Sequence, residues 1–457
     1  MPCRFQSLLV VTTSTTYSLL LLTASIGFII WLTAYKRVNA FFALLLAALG
    51  VGLLSGQPLD SIAGTLKTGF GHTMEKIGLL IILGTTLGVI LERTGATLSM
   101  ANRILRLVDE RNAPLAIALT GFVIGFPIFC DSGFIILSGL NQSLVRKTRM
   151  PMPVMAAALA TSLYAVHCLV PPHPGITAAL GTMGGDVGMV MLVGLGLAIP
   201  ATAVGYGWSI WRGKIVSYDQ PDAAAEPVVD EQLPSAGLSF LPVVLPIMLI
   251  AGKSLALLTI SAQQATEQLG WRLLIFVGEP VVALGVGIIA SLLLIQSRHR
   301  SELTNWLTEG VDKAGMIIAI IAGGGMFGEM LQVTGIGKSL GDALNGLPLG
   351  IFFPFLIAAL LKTAQGSSTV AVITAASLVT PLLASLGLQS PMGVTLAVLS
   401  MGAGSMVVSH ANDAYFWVIS RFSDLPTATM FRVYSLATIA MGIVVQLLIW
   451  ALFLALK

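Results

Sequence analysis

Histidine, asparagine and aspartate stand within four positions in Ser409-His410-Ala411-Asn412-Asp413, with apolar residues on both sides. An imidazole titrates near neutral pH, and a carboxylate beside it makes the two ionisations interdependent. Such a trio suits proton uptake or ligand binding. The alternative is a polar network that holds an interrupted helix together. Three other clusters are set in apolar sequence in the same way. Pro127-Ile128-Phe129-Cys130-Asp131-Ser132-Gly133 carries a carboxylate that can bind a proton, accept from ligand hydroxyls, or cap a helix. Gln365-Gly366-Ser367-Ser368-Thr369 offers an amide, three hydroxyls and a glycine that permits close approach. It fits a polyhydroxylated or carboxylate ligand, or a plain serine cap. The fourth cluster runs from His167 to Pro171-Pro172-His173-Pro174-Gly175. Prolines there preclude a continuous helix. His173, at the break, reads as functional, and His167 as a satisfied core histidine.

The elements that hold these clusters are apolar. Of 457 residues, 56% are hydrophobic and 10% charged, far from the roughly 25% charged of a soluble domain. A polytopic, all-α membrane protein follows, with the 48 glycines allowing close helix packing. Apolar runs long enough to span lie near 17–35, 39–57, 76–91, 187–211, 238–260, 273–296, 314–333 and 428–455. The first reads as an uncleaved helix. The pairs of short runs in 114–145 and 348–386 read as re-entrant hairpins, and 151–183 and 391–421 as single broken spans. About 10 full crossings plus two hairpins result, in 12–14 hydrophobic segments. Segments 57–76 and 298–313 read as amphipathic interfacial connectors. Lys362 reads as a snorkelling lysine, Glu279 as interfacial, and Glu329 as a difference between the two halves.

Those halves repeat. Gly84, Gly88, Leu91, Thr94 and Gly95 recur as Gly324, Gly328, Leu331, Thr334 and Gly335, and Leu169–His173 matches Met406–His410 at nearly the same offset. An internal duplication is expected. The division is 1–38, an N-terminal helix; 39–211, a first repeat; 212–237, a polar cytoplasmic linker; 238–272, a connecting helix; and 273–457, a second repeat. An odd number of crossings between the repeat starts inverts the second copy, the plan of many secondary transporters. With both termini on the non-cytoplasmic side, Lys36, Arg37, Arg93, Arg146, Lys147, Arg149, Lys313 and most other basic residues fall inside, leaving Arg4, Lys67, Lys76, Arg272, Lys338 and Lys457 outside. This satisfies the positive-inside rule.

Several chemistries lack their signatures. There is no GxxxxGK[ST] phosphate loop, no HExxH and no paired catalytic carboxylates. Cys3, Cys130 and Cys168 have neither metal-ligand spacing nor a disulfide framework. No enzyme, metal or nucleic-acid partner is expected. A gated channel using the same breaks as a filter is the rival reading.

Taken together the four breaks resemble the gluconate permease family of proton symporters, within the ion transporter superfamily. The resemblance rests on Gly125-Phe126-Pro127-Ile128-Phe129 through Gly133, on His167 with Pro171–Gly175, on Gln365-Gly366-Ser367 with Thr369-Val370-Ala371, and on Gly402-Ala403-Gly404-Ser405 through Ser409–Asp413 with Phe416-Trp417. It implies uptake of small anionic sugar acids such as gluconate across the bacterial inner membrane, with the proton as coupling ion and no other cofactor. Some relatives carry D-serine or other small hydroxy or amino acids, glycerate among the candidates. From the breaks themselves, the expected substrate shell is Asp131, Ser132, Gly133, Gln365, Gly366, Ser367, Ser368, Thr369, His173 and Asn412, with His410, Asp413 and Asp131 as the expected proton-coupling residues. The lipid bilayer is the surrounding partner, and a homo-oligomer is compatible with the plan. One departure is the polar hairpin tip Phe129-Cys130-Asp131-Ser132-Gly133, followed by Ser138, Asn141 and Gln142.

Overall fold

Polar backbone must be satisfied internally in hydrocarbon, and the fold answers with helices alone. The computed structural model describes residues 15–108, 112–215, 233–259, 268–296, 301–336, 350–410 and 413–456, with no strand among them. The first half holds α1 (Thr15–Ile30), α2 (Ala40–Leu54), α3 (Leu59–Thr73), α4 (Leu79–Arg93), α5 (Ala96–Leu107), α6 (Ala113–Ile124), α7 (Cys130–Thr148), α8 (Met152–Leu169), α9 (Pro174–Met183) and α10 (Val187–Gly213). Next come α11 (Ala236–Thr259), α12 (Leu269–Val277), α13 (Pro280–Ser291), α14 (Leu303–Val333), α15 (Phe352–Gln365), α16 (Ser368–Val379), α17 (Pro391–Met406) and α18 (Ala414–Phe422). A turn at Thr427–Met430 leads through Phe431–Ser435 into α19 (Leu436–Ala455).

Among the described residues, 6 helices are long and apolar enough to cross a membrane, or up to 8 when each bent pair counts as one span. Each overlaps a crossing read from the sequence, and the bent pair Leu59–Arg93 also takes in the segment 57–76, expected as a connector. The remaining expected crossings, 39–57 and 391–421, correspond to α2, of 15 residues, and to the interrupted pair α17–α18.

Two expectations are corrected. The 298–313 connector is not separate from residue 303 onward, because α14 runs unbroken for 31 residues. Trp306 and Gly310 are buried on its packed face, so that turn belongs to the bundle. The 273–296 run is not straight either: α12 and α13 meet at 73° around Gly278-Glu279-Pro280. Pro280 takes the first helical position, where its missing N–H is harmless. The bend leaves the expected 272/273 boundary inside α12.

The core surrounds α8 and α9, which are almost wholly buried, whereas only about a third of the apolar stretch in α11 is buried. Around them α6 packs on α8 as α15 packs on α17, and α10 packs on α8 as α19 packs on α17. Large apolar side chains such as Leu20, Phe42, Leu54, Met248, Phe276 and Leu293 remain exposed on the outside, as a lipid-facing belt requires. At one end Glu309 on α14 binds Arg93 (2.9 Å) and Lys313 (2.9 Å), joining α14 to the end of α4. Lys313 and Arg93 thus lie at the same end of the bundle.

Candidate functional site

The four breaks converge, and in each a helix restarts with its N-terminus toward a common space. The first break is Gly125–Phe129, slightly earlier than the sequence suggests, so that Asp131, Ser132 and Gly133 occupy the first turn of α7. Phe129 holds the capping position without a side-chain bond, leaving Asp131 uncommitted as a cap. Its carboxylate accepts a weak bond from Cys130 Sγ at 3.7 Å. The second break is only Gly366-Ser367. Gly366 has φ 84°, a left-handed turn that glycine adopts without a Cβ clash, and Ser367 Oγ caps α16 by accepting from Val370 N at 3.3 Å. The serine-cap reading is therefore met at Ser367, while Ser368 and Thr369 form the first turn. α9 begins at Pro174 after the third break. α18 begins after Asp413, whose Oδ1 accepts from Tyr415 N at 3.0 Å.

A cavity of about 660 Å³ lies where these ends meet. First-turn residues of all four restarted helices line it: Cys130, Asp131 and Ser132; Pro174; Ser368, Thr369 and Val370; and Ala414 and Tyr415. Gln365, Gly366, Ser367 and Asp413 complete the polar wall, and Phe129, Tyr164 and His167 the aromatic one. Free N–H groups at helix N-termini favour anions. Two buried polar atoms in this wall have no partner: Gln365 Nε2 and His167 Nδ1. His167 is thus not the satisfied core histidine that the sequence suggests. Its ring stacks on Tyr164, centroids 6.3 Å apart and 9° between planes, with one ring nitrogen left unbonded.

The two histidines at the breaks have matched positions, and neither lines the cavity. His173 Nε2 donates to Gly125 O at 2.6 Å, tying the third break to the end of α6. His410 Nε2 donates to Thr363 O at 3.1 Å, tying the fourth to the last turn of α15. Each imidazole occupies a backbone carbonyl that the end of a hairpin helix leaves open. Direct ligand contact is thus not the geometry of His173.

The side-chain pairing expected between His410 and Asp413 is not formed. Asp413 Oδ2 instead accepts from Lys362 Nζ (2.5 Å) and Ser409 Oγ (2.5 Å). Lys362 also donates to Gly366 O and is 0% exposed. The snorkelling reading of Lys362 fails, because its ammonium turns inward to a carboxylate rather than outward to the interface. Gly133 packs against Leu163 instead of lining the cavity, and Asn412 lies outside the described residues.

Beyond Lys362 and His167, sequence reasoning missed Tyr164, Tyr415 and one face of α14. Asp312, Lys313, Met316, Ile317 and Ile320 line the cavity, and their helical spacing is the signal that could have revealed them. Glu329 lies elsewhere, in a separate cavity of about 300 Å³ with His72, Lys76 and Gln332 toward the other end of α14.

Comparison with known proteins shows the family. Residues 17–455 match the model of the GntP family permeases. The low-affinity gluconate transporter of Escherichia coli (strain K12) is 31% identical, over 93% of this chain and 96% of its own. The gluconate permease of Pseudomonas aeruginosa is 31% identical over 90% and 91%, and an uncharacterized permease of Haemophilus influenzae is 33% identical over 87% and 84%. Among solved structures the YdaH transporter of Alcanivorax borkumensis, described as having an unusual topology, aligns with TM-score 0.64 at 14% identity, covering 91% of this chain and 98% of that one. A match over nearly the whole chain, together with relatives of this similarity, places the protein in the GntP permease family.

Proposed function

We propose that this permease carries a small sugar acid, with gluconate as the reference substrate, into the cell across the bacterial inner membrane together with protons. The observation that carries the reading is the convergence of four helix N-termini on one cavity, a field suited to a carboxylate. Asp131 and the Gln365 amide suit the hydroxyls of an aldonate, and the unpaired Gln365 Nε2 is a donor without a protein acceptor. Two relatives named as gluconate carriers support the same substrate class.

Inverted repeats are the mechanical part of the proposal. His173 and His410 are separated by the duplication offset and bond equivalent hairpin ends, Gly125 and Thr363, which supports two copies of one design. The cavity is lined by the α14 end that carries Lys313, the side assigned to the cytoplasm by charge, so we read the state as inward-facing. Rocking one repeat against the other would expose the site outward.

Counterflow in proteoliposomes tests the carrier. Preloaded gluconate is expected to accelerate entry of labelled gluconate, with accumulation driven by an inwardly directed proton gradient. A pore would show no trans-stimulation, and indifference to an uncoupler would remove the proton. Substrate choice is tested by a thermal-shift panel of aldonates, glycerate and D-serine.

Gln365→Leu separates binding from folding. It deletes a buried donor that lacks a partner, and Thr33 keeps its bond to Ile29 O at 2.7 Å. Melting temperature is expected to hold or rise, while gluconate affinity falls by about tenfold, the worth of one hydrogen bond of about 1.4 kcal/mol. A variant that binds as wild type would remove Gln365 from the site.

A further inference from the structure

We propose that Lys362 is shared between Asp413 and the substrate carboxylate, and that protonation of Asp413 hands it over. This deepens the transport reading above and rests on it. The ammonium lies directly behind the cavity wall. Both of its bonded partners, Gly366 and Asp413, line the cavity, and so does Tyr164, whose ring centroid is 5.8 Å from Nζ. With Asp413 charged, the pair is neutral and the empty site holds its own counter-ion. A proton on Oδ2 cancels the carboxylate and takes away the lysine's ion-pair partner, since its other hydrogen-bond partner is a backbone carbonyl. A monoanionic substrate then supplies the missing negative charge. Proton and substrate enter as a neutral set and leave as one.

The duplication shows that the fold itself does not call for this pair. At the offset that relates His173 to His410, the counterpart of Asp413 is Ile176 and that of Lys362 is Gly125. In the first half the third break is tied to the end of α6 by the His173–Gly125 bond, and neither counterpart position carries a charge. The second half has the equivalent tie, through His410 and Thr363, and the ion pair in addition.

Other groups face the pair from every side. Asp131 and Cys130 on α7, Tyr164, His167 and Cys168 on α8, Tyr415 on α18 and Tyr434 before α19 all interact electrostatically with Lys362 or Asp413. His173 acts on His167. Asp131 is the competing carboxylate, so any test must separate it from Asp413.

The test titrates gluconate into weakly buffered, detergent-solubilised protein over a range of pH, reading affinity and proton uptake together. Wild type is expected to take up about one proton per bound gluconate, with affinity falling about tenfold per pH unit over the alkaline arm. In D413N proton uptake is lost and affinity no longer follows pH. K362M binds gluconate about tenfold more weakly or worse. Because K362M leaves a lone buried carboxylate, K362M/D413N serves as the neutral-pair control, and it too is expected to bind weakly and take up no proton. A purely structural pair would shift melting temperature without changing the proton count. Wild-type proton uptake in D413N, or wild-type affinity in K362M/D413N, overturns the proposal. Infrared difference spectra on acidification need no ligand: a protonated-carboxyl band present in wild type must be missing from D413N, and a band unchanged in D413N overturns the proposal whatever the substrate. If that band behaves as expected but no aldonate binds wild type, the substrate reading fails and the proton site on Asp413 stands.

Discussion

Replacing Lys362 with methionine is expected to destabilise the folded protein by about 3–5 kcal/mol, the usual penalty for leaving one member of a buried ion pair alone. Lys362 is 0% exposed and its partner side chain is 9% exposed, so the orphaned carboxylate is reached only from the cavity that it lines. Ser409 Oγ and Tyr415 N would still donate to it. The double variant K362M/D413N is expected to recover most of the loss, because neutral pairs of similar volume are often tolerated where charged ones were. Asparagine also keeps the cap of α18, accepting from Tyr415 N as aspartate does. Recovery stays partial, since Gly366 O loses its lysine donor. Thermal or denaturant unfolding in detergent for wild type, both single variants and the double gives the coupling energy. A K362M protein as stable as wild type would show that the pair is not formed as described.

The second large effect is expected at Gly402. A methyl group there would sit 2.3 Å from the Cys168 carbonyl oxygen and 2.9 Å from Ile176 Cδ1. The nearer atom is backbone, at the end of α8 where the third break begins, and it cannot move aside as a flexible side-chain tip can. Gly402→Ala therefore pushes α17 away from α8 and is expected to cost about 1–3 kcal/mol. Uptake should fall with it, because Ser409 and Asp413 hang from the end of α17 and His167 from the end of α8. Gly207→Ala in α10 is the control. No atom lies within 4 Å of a Cβ at that position, and the better helix propensity of alanine is expected to stabilise by about 0.5–1 kcal/mol. Opposite shifts in melting temperature for the two alanine variants are the outcome to look for, and a neutral Gly402→Ala would contradict the close approach.

Composition and run length determined the membrane class, because hydrocarbon tolerates only long apolar helices at this charge content. The breaks were equally legible. Prolines 171, 172 and 174 and the glycine at 366 forbid a straight helix locally, whatever surrounds them. The polar side chains at the breaks identified Asp131, Gln365, Ser368 and Thr369, which line the cavity, since a costly group at membrane depth needs a reason to be there.

Tertiary structure alone decided who pairs with whom. His410 and Asp413 are close in sequence, yet Asp413 binds Lys362, 51 residues away, and His410 turns to a backbone carbonyl. A lysine near a helix end reads as snorkelling when the only alternative is lipid; once α15 packs against α17 and the fourth break, the nearest charge is an inward carboxylate. His167 and the Asp312–Ile320 face of α14 were hidden for the same reason. Their spacing is ordinary for packed helices, and only the convergence of four helix ends opens a cavity beside them. Local sequence sets where a helix must stop, because that depends on its own backbone. The assignment of partners depends on distances across the bundle, which the chain acquires only on folding.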